Sequence, residues 1–290
     1  EEDKSKLVYA VTAARAQMAR SGILKPAEAK AGGFVATTLR RKKSASNLTA
    51  GDESYSDLYP EHYWKYHKRK LNQTLTQMSS PESEEIALRN FVSLLIFAGL
   101  ESKGGYEEPG DTGMVLMVQQ VIQNCLEKED VCNEFYMQLI KQTTEQPDPN
   151  SRINVHNWRF FVLTLCVVVP RLTPLLNYMW AHLRRCAAQN NEEGKFAQFA
   201  QKCLQRTLDN ANRKYPPSRQ EIASVMNREQ VYSRFYFMDG EFRPLTFDPA
   251  QTTSEVVSMI KERIGLPSSV QGFSLFEVFG SLARNMLPYE

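Results

Sequence analysis

Apolar residues recur every three or four positions from residue 61 to residue 215, which predicts a series of amphipathic helices. No segment of this stretch alternates apolar and polar residues as a strand would. Breakers separate the helices, most clearly the Pro-Asp-Pro-Asn turn at 147–150. The predicted apolar faces include Phe91, Val118, Phe135, Trp158, Met179 and Phe196. This pattern predicts a helical bundle or a compact solenoid.

Two features define single elements within that helical stretch. Ser80 followed by Pro81 predicts a helix start, and Gly99 predicts the end of the same helix. The glycine-rich residues 103–113 predict a loop. The apolar run 160–169 is too short to span a membrane, which takes about 20 residues, so we expect a buried core helix.

The first 60 residues predict an extension with one helix. Apolar positions from Leu7 to Met18 fit a helical face, and Ser21-Gly22 predicts its end. The basic run Arg40–Lys43 then precedes Ser44 and a polar stretch. Such a run is typical of a solvated loop, although it also suits a basophilic kinase acting on Ser44 or Ser46.

The pattern changes after Pro216-Pro217. Capping-box sequences predict helix starts at 218–221 and 252–255. Between them, β-forming residues at 231–238 and 242–247 flank an Asp-Gly dipeptide, which predicts a hairpin. A further strand is expected at 273–278. The order of hairpin, helix and strand is that of the opening of a ubiquitin-like β-grasp lobe, which is incomplete here.

Composition is that of a globular protein, with 42% hydrophobic and 23% charged residues among 290. The net charge of +2 hides a basic excess, with ten Lys/Arg against four Asp/Glu in residues 1–50 and eight against three in 181–220. Separate basic surfaces on a near-neutral chain favour acidic partners over bulk nucleic-acid binding. The chain starts with Glu and shows no secretory signal, so we expect a fragment of a longer cytoplasmic protein.

Catalytic and metal-binding patterns are not found in the sequence. Five cysteines without a C-x-x-C pair predict buried, reduced thiols, and the four histidines lack metal-ligand spacing. No phosphate-binding loop or nucleophile elbow occurs. Cys132 with His156 is the one thiol–imidazole pair to consider, but the two open separate helices. We therefore predict no enzyme, no cofactor and no metal, with a thiol hydrolase as a distant alternative.

A resemblance to a known family rests on the run from Cys132 to Thr144, Cys-Asn-Glu-Phe-Tyr-Met-Gln-Leu-Ile-Lys-Gln-Thr-Thr. This run resembles the signature of the myosin-tail-homology domain, with Asn133 in place of the family's usual acidic residue. Further matching positions are Trp158, Leu165–Cys166, Pro170, His182–Arg185, Cys203–Arg206 and Arg213–Ile222. In that family a FERM domain follows directly, and residues 231–278 resemble its ubiquitin-like first lobe.

The resemblance implies an α+β chain of three parts. These are an extension at 1–57, a helical myosin-tail-homology domain at 58–217 and an incomplete first FERM lobe at 218–290. It implies a non-catalytic cargo- and cytoskeleton-binding tail module of an unconventional myosin of class VII, X or XV, with any actin contact made by a motor domain outside this chain. A plant-type kinesin, or a scaffold or pleckstrin-homology adaptor that links membrane receptors to the cytoskeleton, is the alternative. Either implies a cytoplasmic, cytoskeleton-associated protein.

The candidate binding residues are cations. Residues 62–70 interleave aromatics and cations, and as a helix would place Lys65, Lys68 and Arg69 on one face. Either the aromatics cover the bundle beside solvated cations, or the segment binds an acidic partner. The resemblance suggests microtubules, or acidic cargo peptides at the junction of the two domains, with membrane-receptor tails as further partners of the FERM region. Nucleic acid is not expected, since no recognised motif accompanies the cations. The full set is Lys65, Lys68, Arg69, Lys70, Arg184, Arg185, Arg213 and Lys214.

Overall fold

The computed structural model describes residues 4–27, 53–101, 112–247 and 251–288. The helices are α1 (Lys4–Arg20), α2 (Glu53–Leu58), α3 (Glu61–Trp64), α4 (Pro81–Ala98), α5 (Thr112–Glu127), α6 (Glu129–Gln142), α7 (Arg152–Leu165), α8 (Thr173–Ala187), α9 (Glu192–Asn210), α10 (Arg219–Asn227) and α11 (Thr253–Arg263). The strands are β1 (Val231–Tyr236), β2 (Phe242–Phe247), β3 (Phe276–Phe279) and β4 (Leu282–Asn285). This confirms the predicted α+β class. No helix in these ranges is long and apolar enough to cross a membrane.

Helices α4 to α9 pack around one core, in which α6 and α7 are central. Nearly every residue of α6 is buried, including polar ones, and in α7 only Arg152 is exposed, whereas α4, α5, α8 and α9 keep a solvated face. The largest fully buried side chains include Trp158, Tyr136, Tyr178, Phe91, Phe135, Phe160 and Phe161. A helix that is buried all round must satisfy its polar side chains internally, and this requirement positions the site described below.

The predicted N-terminal helix shares this core. Helix α1 packs against α8, and Met18 and Ala19 are fully buried. Residues 23–25 then run beside 75–77, since Lys25 N donates to Leu75 O at 2.8 Å and Gln77 N to Ile23 O at 2.7 Å. The domain boundary at residue 57 stays a prediction. The basic run 40–43, Ser44 and Ser46 lie outside the described residues, as does most of the predicted loop 103–113.

The start and the end of α4 match the capping signals in the sequence, whereas the end of α7 does not match the predicted apolar run. Ser80 Oγ accepts from Ser83 N at 3.1 Å at the start of α4, and Gly99 ends it with φ +80°. The apolar run 160–169 is buried as predicted, but its helix ends at Leu165. Residues 166–169 lie outside the helix, and helical geometry is disfavoured at Val169 because it directly precedes Pro170.

Among the described residues after 217, the C-terminal lobe contains two antiparallel hairpins and two helices, α10 and α11. β1 pairs with β2 in the predicted hairpin, from Val231↔Phe247 to Tyr236↔Phe242, and both predicted capping boxes are present. The last predicted strand lies at Phe276–Phe279 instead of 273–278. It pairs with β4, which the sequence pattern did not predict, across a turn with Gly280 at φ +58°.

Candidate partner-binding site

The helix considered for the basic segment 65–70 does not form, so the shared face that it would give Lys65, Lys68 and Arg69 is absent. Helix α3 ends at Trp64, and Lys65 is extended with φ −95° and ψ 160°. Lys141 of α6 causes this ending, since its buried Nζ donates to His62 O at 2.5 Å and to Tyr63 O at 2.9 Å. Tyr66 N also donates to Thr144 O at 3.0 Å. The segment therefore follows the end of α6 and leaves no shared helical face for its cations.

Two further α6 side chains hold this region in place. Gln142 Nε2 donates to His67 O at 2.8 Å. Glu134 is fully buried and accepts from Leu75 N at 2.9 Å, from Thr76 N and Oγ1 at 2.7 Å each, and from Gln138 Nε2 at 2.9 Å. The signature run at 132–144 is thus a structural frame that positions residues 62–76.

Burial shifts the pKa values of both ionisable groups in this frame. Desolvation raises the pKa of the Glu134 carboxyl from 4.5 to about 7, against the hydrogen bonds it accepts. Desolvation, with the nearby charge of Arg15, lowers the pKa of Lys141 from 10.5 to about 8. Both shifts mark charges that are kept inside the core by specific partners.

The four cations of the basic segment differ in availability. Lys65 Nζ pairs with Glu61 at 2.5 Å and Glu145 at 2.9 Å, and these carboxylates raise its pKa. Lys70 lies 3.8 Å from Glu101, while Lys68 and Arg69 are exposed. The charge offered to a partner is therefore mainly that of residues 68–70.

The two arginines of α8 differ in their surroundings. Arg184 is exposed, with its guanidinium carbon 6.0 Å from the centre of the Trp180 ring. Arg185 lies 3.4 Å from His182 Nδ1 and lines a cleft of about 300 Å³ together with Glu145, which pairs with Lys65. Arg185 therefore shares a cleft with the carboxylate that pairs with Lys65.

Arg213 and Lys214 lie elsewhere, at the junction between the helical domain and the lobe. They line a cavity of about 610 Å³ together with Arg284 of β4. Arg213 pairs with Glu221 at 2.7 Å. The apolar lining includes Phe235, Phe247, Val256, Leu275 and Met286. Sequence reasoning missed Arg284, because it lies on the strand that the pattern did not predict.

A clamp at the end of α9 fixes one wall of this cavity. Asn212 Oδ1 accepts from Val169 N at 2.9 Å, and its Nδ2 donates to Val169 O at 3.2 Å. Arg213 N donates to Val167 O at 2.8 Å. Ala211, just before the clamp, has φ 66° and ψ 171°, a conformation otherwise almost restricted to glycine. The surrounding contacts hold this strained residue in place.

The buried thiols are packed rather than arranged for catalysis. All five cysteines are buried and free, as predicted. Cys132 contacts Cys125, and the His156 ring lies 5.6 Å from the Phe97 ring. A second thiol–imidazole pair, which the sequence pattern did not indicate, is formed by Cys186, whose Sγ lies 3.8 Å from His182 Nε2. Burial raises the pKa of the Cys186 thiol and lowers that of His182, which favours the neutral form of each. No cluster of three or more metal-ligating side chains occurs in the described ranges.

Comparison with known proteins places this geometry in a family. Residues 118–224 match the MyTH4 domain, and residues 229–290 match the RA like domain. The chain is 26% identical over 230 residues to "Myosin-I heavy chain" of Dictyostelium discoideum, covering 78% of this chain and 10% of that protein. It is 25% identical over 216 residues to "Pleckstrin homology domain-containing family H member 3" of Mus musculus, covering 72% of this chain and 26% of the relative.

Solved structures agree with this assignment. The Dictyostelium discoideum myosin VII MyTH4-FERM MF1 domain is 25% identical, with a TM-score of 0.71 over 78% of this chain and 46% of that one. The human myosin 7b C-terminal MyTH4-FERM domain, solved with the harmonin-a PDZ3 domain, shares the fold at 19% identity and a TM-score of 0.60, over 71% of this chain and 41% of that one. The chain thus spans less than half of each. It contains a MyTH4 domain followed by the RA-like beginning of a FERM domain.

Proposed function

We propose that this chain is a non-catalytic protein-binding module of a myosin-like motor tail, and that its junction cavity binds an acidic segment of a partner protein. The cavity itself carries the proposal. It is the place where predicted cations, Arg213 and Lys214, line a volume that a ligand could fill. Three cations and one carboxylate, Glu221, are among the residues that line it.

The chemistry of the lining specifies the partner segment. The apolar walls suit one apolar side chain, while the cations suit carboxylates on either side of it. Thr252 and Thr253 at the start of α11 also line the cavity, so the positive end of that helix faces the same volume. An acidic peptide with a central apolar anchor satisfies all three features.

The test is binding of a fluorescent Glu-Glu-Leu-Phe-Glu-Glu peptide, measured by anisotropy at 50 and 200 mM salt. Lys214→Glu and Arg284→Gln should each weaken binding, and added salt should weaken it further because exposed charges are screened. Lys202→Glu, an exposed cation of α9, is the matched control. Equal losses in all three variants would show binding to net charge and would exclude the cavity.

A second candidate partner is the microtubule, whose tubulin tails are acidic. Exposed Lys68 and Arg69 support it. Co-sedimentation with microtubules should be salt-sensitive and should be lost in the Lys68→Glu/Arg69→Glu variant. The Lys195→Glu/Lys202→Glu variant should still pellet. Pelleting that survives the first variant would remove this candidate.

The wider assignment is part of the same proposal. We infer a cytoplasmic, cytoskeleton-associated protein, either a motor or an adaptor without a motor that also reaches membrane-receptor tails. The human myosin 7b structure contains a protein domain as its partner, which supports protein partners as a class. Sequencing the full-length transcript distinguishes these two kinds of protein, since a motor would encode a motor head and an adaptor would encode a pleckstrin-homology domain. An activity screen with a Cys132→Ala control tests the absence of catalysis.

A further inference from the structure

The outward face of the β1–β2 hairpin carries aromatic residues where a solvated sheet face usually carries polar ones. Three cross-strand pairs lie on it, and all six residues are exposed. We call this set the hairpin face: Tyr232 with Thr246, Arg234 with Pro244, and Tyr236 with Phe242. The opposite face is already used, since Phe235 and Phe247 line the junction cavity.

Arg234 lies at the centre of the hairpin face. Its guanidinium carbon is 5.1 Å from the centre of the Phe242 ring. Hydrogen bonds with the side chains of Tyr232 and Tyr236 raise its pKa, and the Tyr236 and Phe242 ring centres lie 5.7 Å apart. The six residues include no aspartate or glutamate. The face is therefore a permanent cation held among three rings.

Burial in a core does not account for this composition. Tyr236 is 70% exposed, Tyr232 47% and Phe242 42%. Tyrosine and arginine are among the residues that dominate binding energy in interfaces, and rings on a rigid hairpin lose little entropy on binding. We propose that the hairpin face is a second docking surface, for a partner segment that places a carboxylate on Arg234 and an aromatic side chain on Tyr236 and Phe242.

Charge decides between the possible occupants. A second copy of this chain would bring two Arg234 side chains together without a carboxylate on either face. An anionic membrane would meet Asp239 and Glu241 at the hairpin turn. A single polypeptide segment can place its carboxylate on Arg234, at the middle of the hairpin, without covering the acidic turn, and it brings no second Arg234. This surface is separate from the junction cavity, because the two use opposite faces of the hairpin.

The test uses a random copolymer of glutamate and tyrosine as the probe, measured by biolayer interferometry on the intact chain. Arg234→Gln and Tyr236→Ser should each lower its affinity at least about tenfold. Arg243→Gln is the matched control. It removes the same charge from the same hairpin, but its strand position belongs to the opposite face and it pairs with Glu241 at 2.7 Å. The control should bind as the unmodified chain does.

Several results would overturn the proposal. Equal losses in the Arg234 and Arg243 variants would mean that only net charge matters, and equal affinity for polyglutamate would remove the role of the rings. Loss in Lys214→Glu with none in Arg234→Gln would place the copolymer in the junction cavity. Light scattering that shows a dimer abolished by Arg234→Gln would make a second copy the occupant, and Arg234-dependent pelleting with phosphatidylserine vesicles would make it a membrane.

Discussion

Replacing Glu134 by Gln tests whether the buried carboxylate holds residues 75–76 on α6. Its two oxygens accept from the backbone N–H groups of Leu75 and Thr76, besides two side chains. An amide has only one acceptor oxygen, so its NH₂ group must face one of those two N–H groups. The Thr76 hydroxyl and the Gln138 amide can turn to accept, but a backbone N–H cannot. One buried N–H then loses its acceptor, which costs about 1–3 kcal/mol of unfolding free energy.

The loss depends on pH, because the pKa of Glu134 rises from 4.5 in the unfolded chain to about 7 in the folded one. The folded chain binds this proton more tightly than the unfolded chain does. The resulting contribution to the free energy of unfolding is therefore complete below pH 4.5 and is lost as the pH rises through 7. The shift corresponds to about 3 kcal/mol. A protonated carboxyl still accepts from both N–H groups, so the variant should be less stable by about 1–3 kcal/mol at pH 5. By pH 8 the difference should vanish or reverse, because only the unmodified chain then buries a charge.

Urea unfolding at pH 5, 6.5 and 8, followed by the fluorescence of the buried Trp64 and Trp158, measures this difference. The other ionisable groups titrate in both proteins, so their contributions cancel in the difference between the two unfolding free energies. Glu85→Gln is the control, since Glu85 is exposed and lies 3.9 Å from an ion-pair partner, Arg89. Its effect should stay within about 0.5 kcal/mol. Equal stability at pH 5 would refute the hydrogen-bond argument, and a difference that does not change with pH would refute the raised pKa.

Three further predictions concern stability and are checked by urea unfolding. Because the pKa of Lys141 is lowered, the free energy of unfolding of the unmodified chain should rise by up to about 3 kcal/mol between pH 8 and 10.5. Lys141→Met should abolish this rise. A Lys202→Met variant that also loses the rise would contradict the assignment to Lys141. Gly194→Ala should destabilise α9 against α8, since its Cβ would lie 1.9 Å from the backbone oxygen of Gln189; an unchanged midpoint would count against the close approach. Deleting residues 1–27 should lower the midpoint by exposing the core around Met18, and a deletion without effect would show that α1 is a detachable extension.

The sequence predicted those elements whose signals are local. The capping boxes at Ser218 and Thr252 and the helix end at Gly99 each depend on residues within one turn, and the structure contains all three. The hairpin at 231–247 was equally predictable, because strand residues flank an Asp-Gly turn. Local chemistry is sufficient in these places because neighbouring residues satisfy the backbone groups concerned.

The site was less predictable because its determinants are distant in sequence. The helix considered through Lys65 does not form because Lys141, more than 70 positions away, takes the carbonyls of residues 62 and 63. Arg284 joins Arg213 only through the fold of the lobe. The signature run identified the family, yet the spacing of Glu134, Gln138 and Gln142 at four residues gives a shared face without revealing that the face is buried.

The Asn212 clamp has a mechanical consequence if, as proposed above, the chain lies in a motor tail. Residues 214–217 join the helical domain to the lobe, so a pull on the lobe through this connection reaches the clamp before it reaches α9. Asn212 and Arg213 pass that load to the backbone of Val169 and Val167 through three hydrogen bonds. The load therefore enters the core beside α7 instead of unwinding α9 from its C-terminal end. Gln119 Nε2, which donates to Pro217 O at 2.8 Å, and α10, which packs on α7, hold the connection on its lobe side, so the clamp should bear load only after these contacts yield.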